Sequence, residues 1–103
     1  MIVERRTYLV KIGHDAEAVA ILKRMFEIST FYTNPYRIYT CYIGPNNVIV
    51  VEWEWEDLEQ MGAVWAAVVA NPEFAPLQEQ WRALRERGGQ GELWHLAAQR
   101  PAS

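Results

Sequence analysis

The sequence predicts an α+β domain of the ferredoxin-like class, with the element order β-α-β-β-α-(α)-β. Three observations support this prediction. The central stretch 48–57, VIVVEWEWED, alternates apolar and acidic residues, which is typical of a strand with two different faces. One amphipathic helical pattern precedes this strand and another follows it. With right-handed crossovers, these elements form a four-stranded antiparallel sheet with the helices on one face.

The first half of the chain contains a strand, a helix and the start of a hairpin. Ile2 to Ile12 is rich in β-branched and aromatic residues and ends at Gly13, which predicts the first strand. Asp15 offers an N-cap, and apolar residues then recur at helical spacing up to the Asn-Pro pair at 34–35. This pattern predicts a helix of about five turns. Tyr36 to Ile43 alternates again and predicts the second strand.

A turn joins this second strand to the central one. The segment 44–47, Gly-Pro-Asn-Asn, has the composition of a turn. Because Pro45 cannot adopt a positive φ, a two-residue type I′ turn is excluded. We therefore expect a four-residue loop that pairs Ile43 with Val48. A three-residue loop would shift the register by one and invert the faces.

The second half of the chain predicts two helical segments and a last strand. Asp57, with Gln60 three residues later, resembles a capping box and predicts the start of a helix. This helix carries small residues on its back, so we expect the next segment to cover them. The covering residues are expected to be Phe74, Leu77 and Trp81. A glycine-rich segment at 88–91 then leads to the last strand, Glu92 to Ala98.

Length and charge limit the classes of protein. The 103 residues fit one domain, which we expect to span residues 1–99 with a frayed tail at 100–103. The net charge is −3 and there is no basic run, which argues against nucleic acid or an anionic membrane as a partner. No apolar stretch is long enough to cross a membrane, and the N-terminus lacks the pattern of a signal peptide. We therefore expect a cytoplasmic protein.

The sequence contains few residues that could bind a metal ion or form a disulfide. Cys41 is the single cysteine, so an internal disulfide and a CxxC motif are both excluded. His14 and His95 are the two histidines, and their spacing fits no Cys/His zinc pattern. We expect neither a metal nor another cofactor.

The apolar content predicts a homodimer. Half of the residues are apolar and five are Trp, a heavy load for one small domain. In the predicted fold, the sheet face opposite the helices still carries apolar residues, and a bare apolar face is a liability in a monomer. These residues are Leu9, Cys41, Ile43, Val48 and Val50. We expect this face to pack against its copy, which gives a dimeric α/β barrel with a cavity between the two sheets.

Three short motifs resemble the NIPSNAP family of the dimeric α/β-barrel superfamily. They are Arg6-Thr7-Tyr8, Gly13 before the first helix, and VVEWEWED at 50–57, which leads into a capped helix. The resemblance implies a ferredoxin-like homodimer with a binding or vesicle-related role and no agreed catalytic residues. By analogy, the same superfamily supports an alternative function: a cofactor-independent monooxygenase, isomerase or cyclase that acts on a small aromatic or polyketide-like substrate in the barrel cavity.

Strand parity places five polar residues on the sheet face turned away from the helices. The expected hairpin register sets Arg37 opposite Glu54 and Tyr39 opposite Glu52, and the expected register of the first and third strands sets Arg5 beside Glu54. Two carboxylates would not be tolerated in dry packing beneath helices. This cluster is either a ligand site, in which an arginine holds a carboxylate or enolate, or a cross-strand ladder of ion pairs.

His95 is the sixth candidate ligand-binding residue. It lies in the predicted last strand between Leu93 and Ala97, where it could face a cavity as a general base or as a haem ligand, or lie at the rim as a structural histidine. The face that it takes is left open by the sequence. On the helix side, Arg6 is expected to lie over Trp53 in a cation–π contact.

Overall fold

The structure, a computed structural model, describes residues 1–28 and 33–101 of the chain. Its elements are β1 (Ile2–Leu9), α1 (Asp15–Glu27), β2 (Tyr36–Thr40), β3 (Val48–Trp55), α2 (Leu58–Ala70), α3 (Phe74–Leu84) and β4 (Gln90–His95). The strands form one four-stranded sheet in the order β2-β3-β1-β4, and every neighbouring pair is antiparallel. The predicted α+β, ferredoxin-like class is confirmed.

The two faces of the sheet differ as the alternation of β3 predicts. Ile49, Val51, Trp53 and Trp55 are at most 1% exposed and lie in the core beneath the helices. The intervening residues of β3 are half-buried and lie on the opposite side, which we call the open face. The core is completed by buried residues of β1, α1 and α3, which are Tyr8, Leu22, Met25, Phe26, Leu77, Trp81 and Leu84.

The predicted position of α3 is wrong. The Trp81 ring meets Tyr8 of β1 edge-on at 5.0 Å between ring centroids. Backbone hydrogen bonds from Lys11 N to Leu84 O and from Glu86 N to Leu9 O tie the end of α3 to the end of β1. These bonds place α3 beside α1, so the small-residue side of α2 stays exposed. That side comprises Gly62, Ala63, Ala66 and Ala70.

Both predicted strand registers are wrong by two residues. In the hairpin Arg37 lies opposite Glu52, and in the β1–β3 pair Arg5 also lies opposite Glu52. The second strand ends at Thr40, so the connection to β3 comprises residues 41–47 and is longer than the expected four-residue loop. Cys41 and Ile43 therefore lie in this loop and are exposed. A shift of two keeps every side chain on its predicted face.

The predicted element ends also differ from the observed ones. His14 occupies the N-cap of α1, where its side chain does not cap a backbone N–H, and Asp15 lies in the first turn of the helix. The last turns of the predicted first helix fall partly on residues 29–32, outside the described residues. The last strand begins at Gln90 and ends at His95, earlier than predicted.

Gly89 allows β4 to start close to β1. It has a φ of +89°, a left-handed conformation that residues with a Cβ rarely adopt. A Cβ at this position would also overlap the carbonyl oxygen of Thr7. Gly62 in α2 is the opposite case, because a Cβ there would meet nothing within 4 Å.

We expect Gly89→Ala to lower the free energy of unfolding by at least about 1 to 3 kcal/mol, because it adds both backbone strain and a steric overlap. The matched variant Gly62→Ala should raise it by roughly 0.5 to 1 kcal/mol, because alanine is the better helix former on an exposed surface. Urea denaturation of both variants measures the two values. A Gly62→Ala variant less stable than the parent would contradict an uncovered α2 surface.

Candidate functional site

Five of the six candidate residues meet on the open face, and we call them the open-face cluster: Arg5, Arg37, Tyr39, Glu52 and Glu54. Arg5 Nε lies 3.8 Å from Glu52 Oε2, and Arg37 Nη1 lies 3.8 Å from Glu54 Oε2. The Tyr39 hydroxyl donates a hydrogen bond of 3.1 Å to Glu52 Oε1. The Arg37–Glu54 and Tyr39–Glu52 contacts join diagonal neighbours, since the register is shifted.

The charges of this cluster already compensate one another. The side chains of Arg5 and Arg37 are 47% and 58% exposed, so these ion pairs are weak in the isolated chain. Desolvation raises the pKa of Tyr39, and the hydrogen bond to Glu52 and the charge of that carboxylate raise it further. The phenol therefore stays protonated at neutral pH and acts as a donor.

Apolar side chains surround the open-face cluster. Leu9, Val48 and Val50 are half-buried on this face. Trp94 of β4 lies opposite Val3 on the same face and is 54% exposed. The open face is thus an apolar sheet surface with ion-paired side chains at its centre.

His95 does not join the open-face cluster. In the β1–β4 pair it lies opposite Ile2, whereas Trp94 lies opposite Val3. Since directly opposed residues share a face, His95 is on the helix side of the sheet, where it is exposed at the edge strand. The sequence left its face open, and the pairing of β4 with β1 decides it.

Sequence reasoning missed a buried carboxylate on the helix side. Glu4 is 4% exposed, although no carboxylate was expected beneath the helices. Its Oε2 accepts from Arg6 Nε at 2.9 Å and lies 2.7 Å from Arg6 Nη2, while its Oε1 accepts from the indole N–H groups of Trp55 and Trp65 at 3.1 and 2.8 Å. A signal was present: Glu4 and Arg6 are two residues apart on one strand, so they share a face.

The predicted contact between Arg6 and Trp53 is confirmed. The guanidinium carbon lies 5.6 Å from the Trp53 ring and 5.5 Å from the Trp65 ring. Burial alone would lower the pKa of Arg6, but the Tyr8 hydroxyl and the Glu4 carboxylate outweigh burial and raise it. The Trp53 indole N–H is buried and has no hydrogen-bond partner among the residues that the structure describes.

A cavity of about 380 Å³ opens between the sheet and the three helices, and we call it the helix-side cavity. Arg6 and Tyr8 of β1, Trp65 of α2 and Trp81 of α3 form part of its wall. The other lining residues are Leu22, Met25, Phe26, Val69, Phe74, Gln78, Arg82 and Arg85. Two other depressions, one between α1 and α3 and one around Asn34 and Gln60, are more open to solvent.

Among residues 1–28 and 33–101, no group of three or more His, Cys, Asp or Glu side chains is arranged to hold a metal ion. No helix in these ranges combines the length and the apolar character needed to cross a bilayer.

We expect Glu4→Gln to lower the free energy of unfolding by about 1 to 3 kcal/mol, because it removes the counter-charge of a partly buried guanidinium. Glu79→Gln is the control, since it breaks an arginine–carboxylate pair of 3.1 Å on the exposed side of α3. The control should change the value by no more than about 0.5 kcal/mol. Chemical denaturation measures both values. If Glu4→Gln and Glu79→Gln lowered the free energy of unfolding equally, that result would contradict a structural role for the buried Glu4–Arg6 pair.

Comparison with solved structures shows where this fold occurs. The chain is similar to an uncharacterized NIPSNAP domain protein from Burkholderia xenovorans, with 23% identity and a TM-score of 0.80 over 99% of this chain and 100% of that one. It is also similar to a NIPSNAP family protein of unknown function from Agrobacterium tumefaciens, with 23% identity and a TM-score of 0.76 over 91% and 86% of the two chains.

A third similar structure is SnoaB, a cofactor-independent oxygenase from Streptomyces nogalater, with 17% identity and a TM-score of 0.70 over 98% and 97% of the two chains. At these identities the likeness shows a shared fold. No match is found among curated protein sequences. The NIPSNAP family model matches residues 3–90, and the chain therefore belongs to the NIPSNAP family.

Proposed function

We propose that this chain is a homodimeric protein that binds a small organic molecule in the helix-side cavity of each protomer. The observation that carries the proposal is the cavity itself. Its volume of about 380 Å³ lies within the range of about 300 to 1,000 Å³ that is usual for ligand pockets. Aromatic side chains form much of its wall and arginines provide polar contacts, a composition typical of such pockets.

The open face is the proposed contact between the two protomers. It combines half-buried apolar residues with Arg5, Arg37, Glu52 and Glu54, and with Glu92 of β4, which lies opposite Arg5. A two-fold axis brings a patch against its own copy, and a patch that carries charges of both signs can complement itself. We assign the open-face cluster to this contact and not to the ligand, because its four charged groups already have partners within the chain.

The remaining features of the chain fit the same proposal. Cys41 is a free, exposed thiol, which favours a reducing compartment such as the cytoplasm. The N–H of Leu96 donates to Met1 O, so the ordered contacts continue past β4. We propose one domain over residues 1–99, with 100–103 as its tail.

A second candidate function is that of a cofactor-independent monooxygenase, isomerase or cyclase on an aromatic or polyketide-like substrate. The likeness to SnoaB and the helix-side cavity, which is lined in part by two tryptophans, support it. It ranks second because the fold likeness alone does not supply a reaction. Oxygen uptake with aromatic phenols, measured with the parent and with Trp65→Phe, distinguishes an oxygenase from a binding protein.

Light scattering at micromolar concentration should give twice the chain mass of 12.0 kDa. Val50→Arg should give a monomer, because it adds an unpaired charge to the apolar part of the open face. Ala63→Arg, on the exposed surface of α2, should leave the dimer intact. A dimer that survives Val50→Arg but dissociates with Ala63→Arg would move the contact from the sheet to the helices.

We expect a panel of small aromatic compounds to include ligands that stabilise the parent. A ligand at 100 times its dissociation constant raises the free energy of unfolding by about 2.7 kcal/mol. Gln78→Trp should abolish this stabilisation, because Gln78 is a half-buried residue of the cavity wall and the larger side chain fills the space. Gln80→Trp, the same substitution at an exposed position of α3, should retain it. Thermal unfolding with and without each compound measures the effect.

A further inference from the structure

We propose that the helix-side cavity selects aromatic carboxylates, with the carboxylate at Arg85 and at the edge of the Arg6 guanidinium that faces Tyr8, and with the ring among Tyr8, Trp65 and Trp81. This inference rests on the proposed function, which places a ligand in the cavity. It adds the chemical class of that ligand.

The wall of the helix-side cavity is positively charged. Three arginines and no aspartate or glutamate are among its lining residues. Arg82 is paired with Glu79 at 3.1 Å, and Arg6 is paired with the buried Glu4. Within the part of the chain that the structure describes, no carboxylate lies at ion-pair distance from Arg85. The cavity therefore has one uncompensated positive charge, which a single carboxylate would neutralise.

The two guanidinium groups both lie next to Tyr8, that of Arg85 over the ring and that of Arg6 at the hydroxyl. The Arg85 guanidinium carbon lies 5.1 Å from the centroid of the Tyr8 ring, and Arg6 Nη1 lies 3.5 Å from the Tyr8 hydroxyl oxygen. Glu4 contacts Nε and Nη2 of Arg6, so the edge with Nη1 remains on the side of Tyr8. An anion next to Tyr8 could thus receive N–H donors from both arginines, and planar guanidinium groups match the geometry of a carboxylate.

Fixed side chains hold this arrangement before a ligand binds. Glu4 anchors Arg6, and the rings of Trp53 and Trp65 lie beside its guanidinium. A donor that is already held in place loses little conformational entropy when a ligand binds. Arg85 is exposed and lies over the Tyr8 ring, where it provides the second contact.

The rest of the wall fits an aromatic ring. Tyr8 and Trp81 are already edge-on at 5.0 Å, and Trp65 is edge-on to Phe26 at 6.3 Å. A flat ring in the cavity beside these side chains gains further edge and face contacts at centroid distances of about 4.5 to 7 Å. A bicyclic acid is smaller than the cavity volume of about 380 Å³, so no rearrangement of the fold is required.

The experiment compares 2-naphthoate with 2-naphthamide, which have nearly the same shape but differ in charge. Isothermal titration of the full-length parent should show naphthoate binding at least about 10-fold more tightly, because charge-assisted hydrogen bonds are stronger than neutral ones. Added salt should weaken naphthoate binding and leave naphthamide binding unchanged, since Arg85 is solvent-exposed.

Variants assign the effect to Arg85. Arg85→Gln should weaken naphthoate binding about 10-fold and change naphthamide binding by less than about twofold. Arg85→Lys keeps the charge but loses the planar guanidinium group. Its affinity for naphthoate should therefore lie between those of the parent and Arg85→Gln. Arg87→Gln, a neighbouring arginine outside the cavity wall, is the control and should change neither affinity.

The outcomes separate the two proposals. Equal affinity of the acid and the amide in the parent would overturn the inference and leave a ligand-binding cavity in place. Equal losses for both compounds in Arg85→Gln would also overturn it, because Arg85 would then support the ring and not the carboxylate. Failure of every aromatic compound to bind would overturn the proposed function together with the inference.

Discussion

The carboxylate of Glu4 holds together three elements that meet on the helix side of the sheet. It contacts Arg6 on its own strand, Trp55 on β3 and Trp65 on α2. The contact to α2 matters most, because Val68 is the buried residue of this helix whereas Leu58 and Val69 are more than half exposed. Without the indole hydrogen bond, α2 would rest on the core through apolar contacts alone, which are the ring contacts of Trp65 with Trp53 and Trp55 and the packing of Met61, Val64 and Val68.

A buried carboxylate is costly to desolvate, and it is retained only where its partners compensate for that cost. Here two indole donors and a guanidinium do so, and they come from positions far apart in the chain. Two of these groups, Arg6 and Trp65, also form part of the wall of the helix-side cavity. A structural network that fixes Arg6 and Trp65 therefore also fixes the donors and rings that a ligand would meet.

One sheet separates two different surfaces in this protein. The helix side combines a dry core with a cavity that carries an uncompensated charge. The open face combines apolar residues with arginines that are already ion-paired within the chain. A surface of the first kind suits a charged small molecule, and one of the second kind suits a copy of itself. The period of two along β1 and β3 produces this division, since neighbouring residues point to opposite sides.

The sequence by itself determined the element order, the fold class and the face on which the strand residues of β1 to β3 lie. Alternation and capping patterns are local, so they can be read without knowing the contacts. It did not determine the strand registers, since a shift of two residues leaves the alternation unchanged.

The tertiary structure decided the remaining features. It set the position of α3, the face of His95 and the burial of Glu4. Each depends on partners distant in the sequence: backbone bonds between the ends of β1 and α3, the pairing of β4 with β1, and two indoles more than 50 positions away from Glu4. A carboxylate in a strand is expected at the surface unless such donors surround it, and only the folded chain brings those donors together.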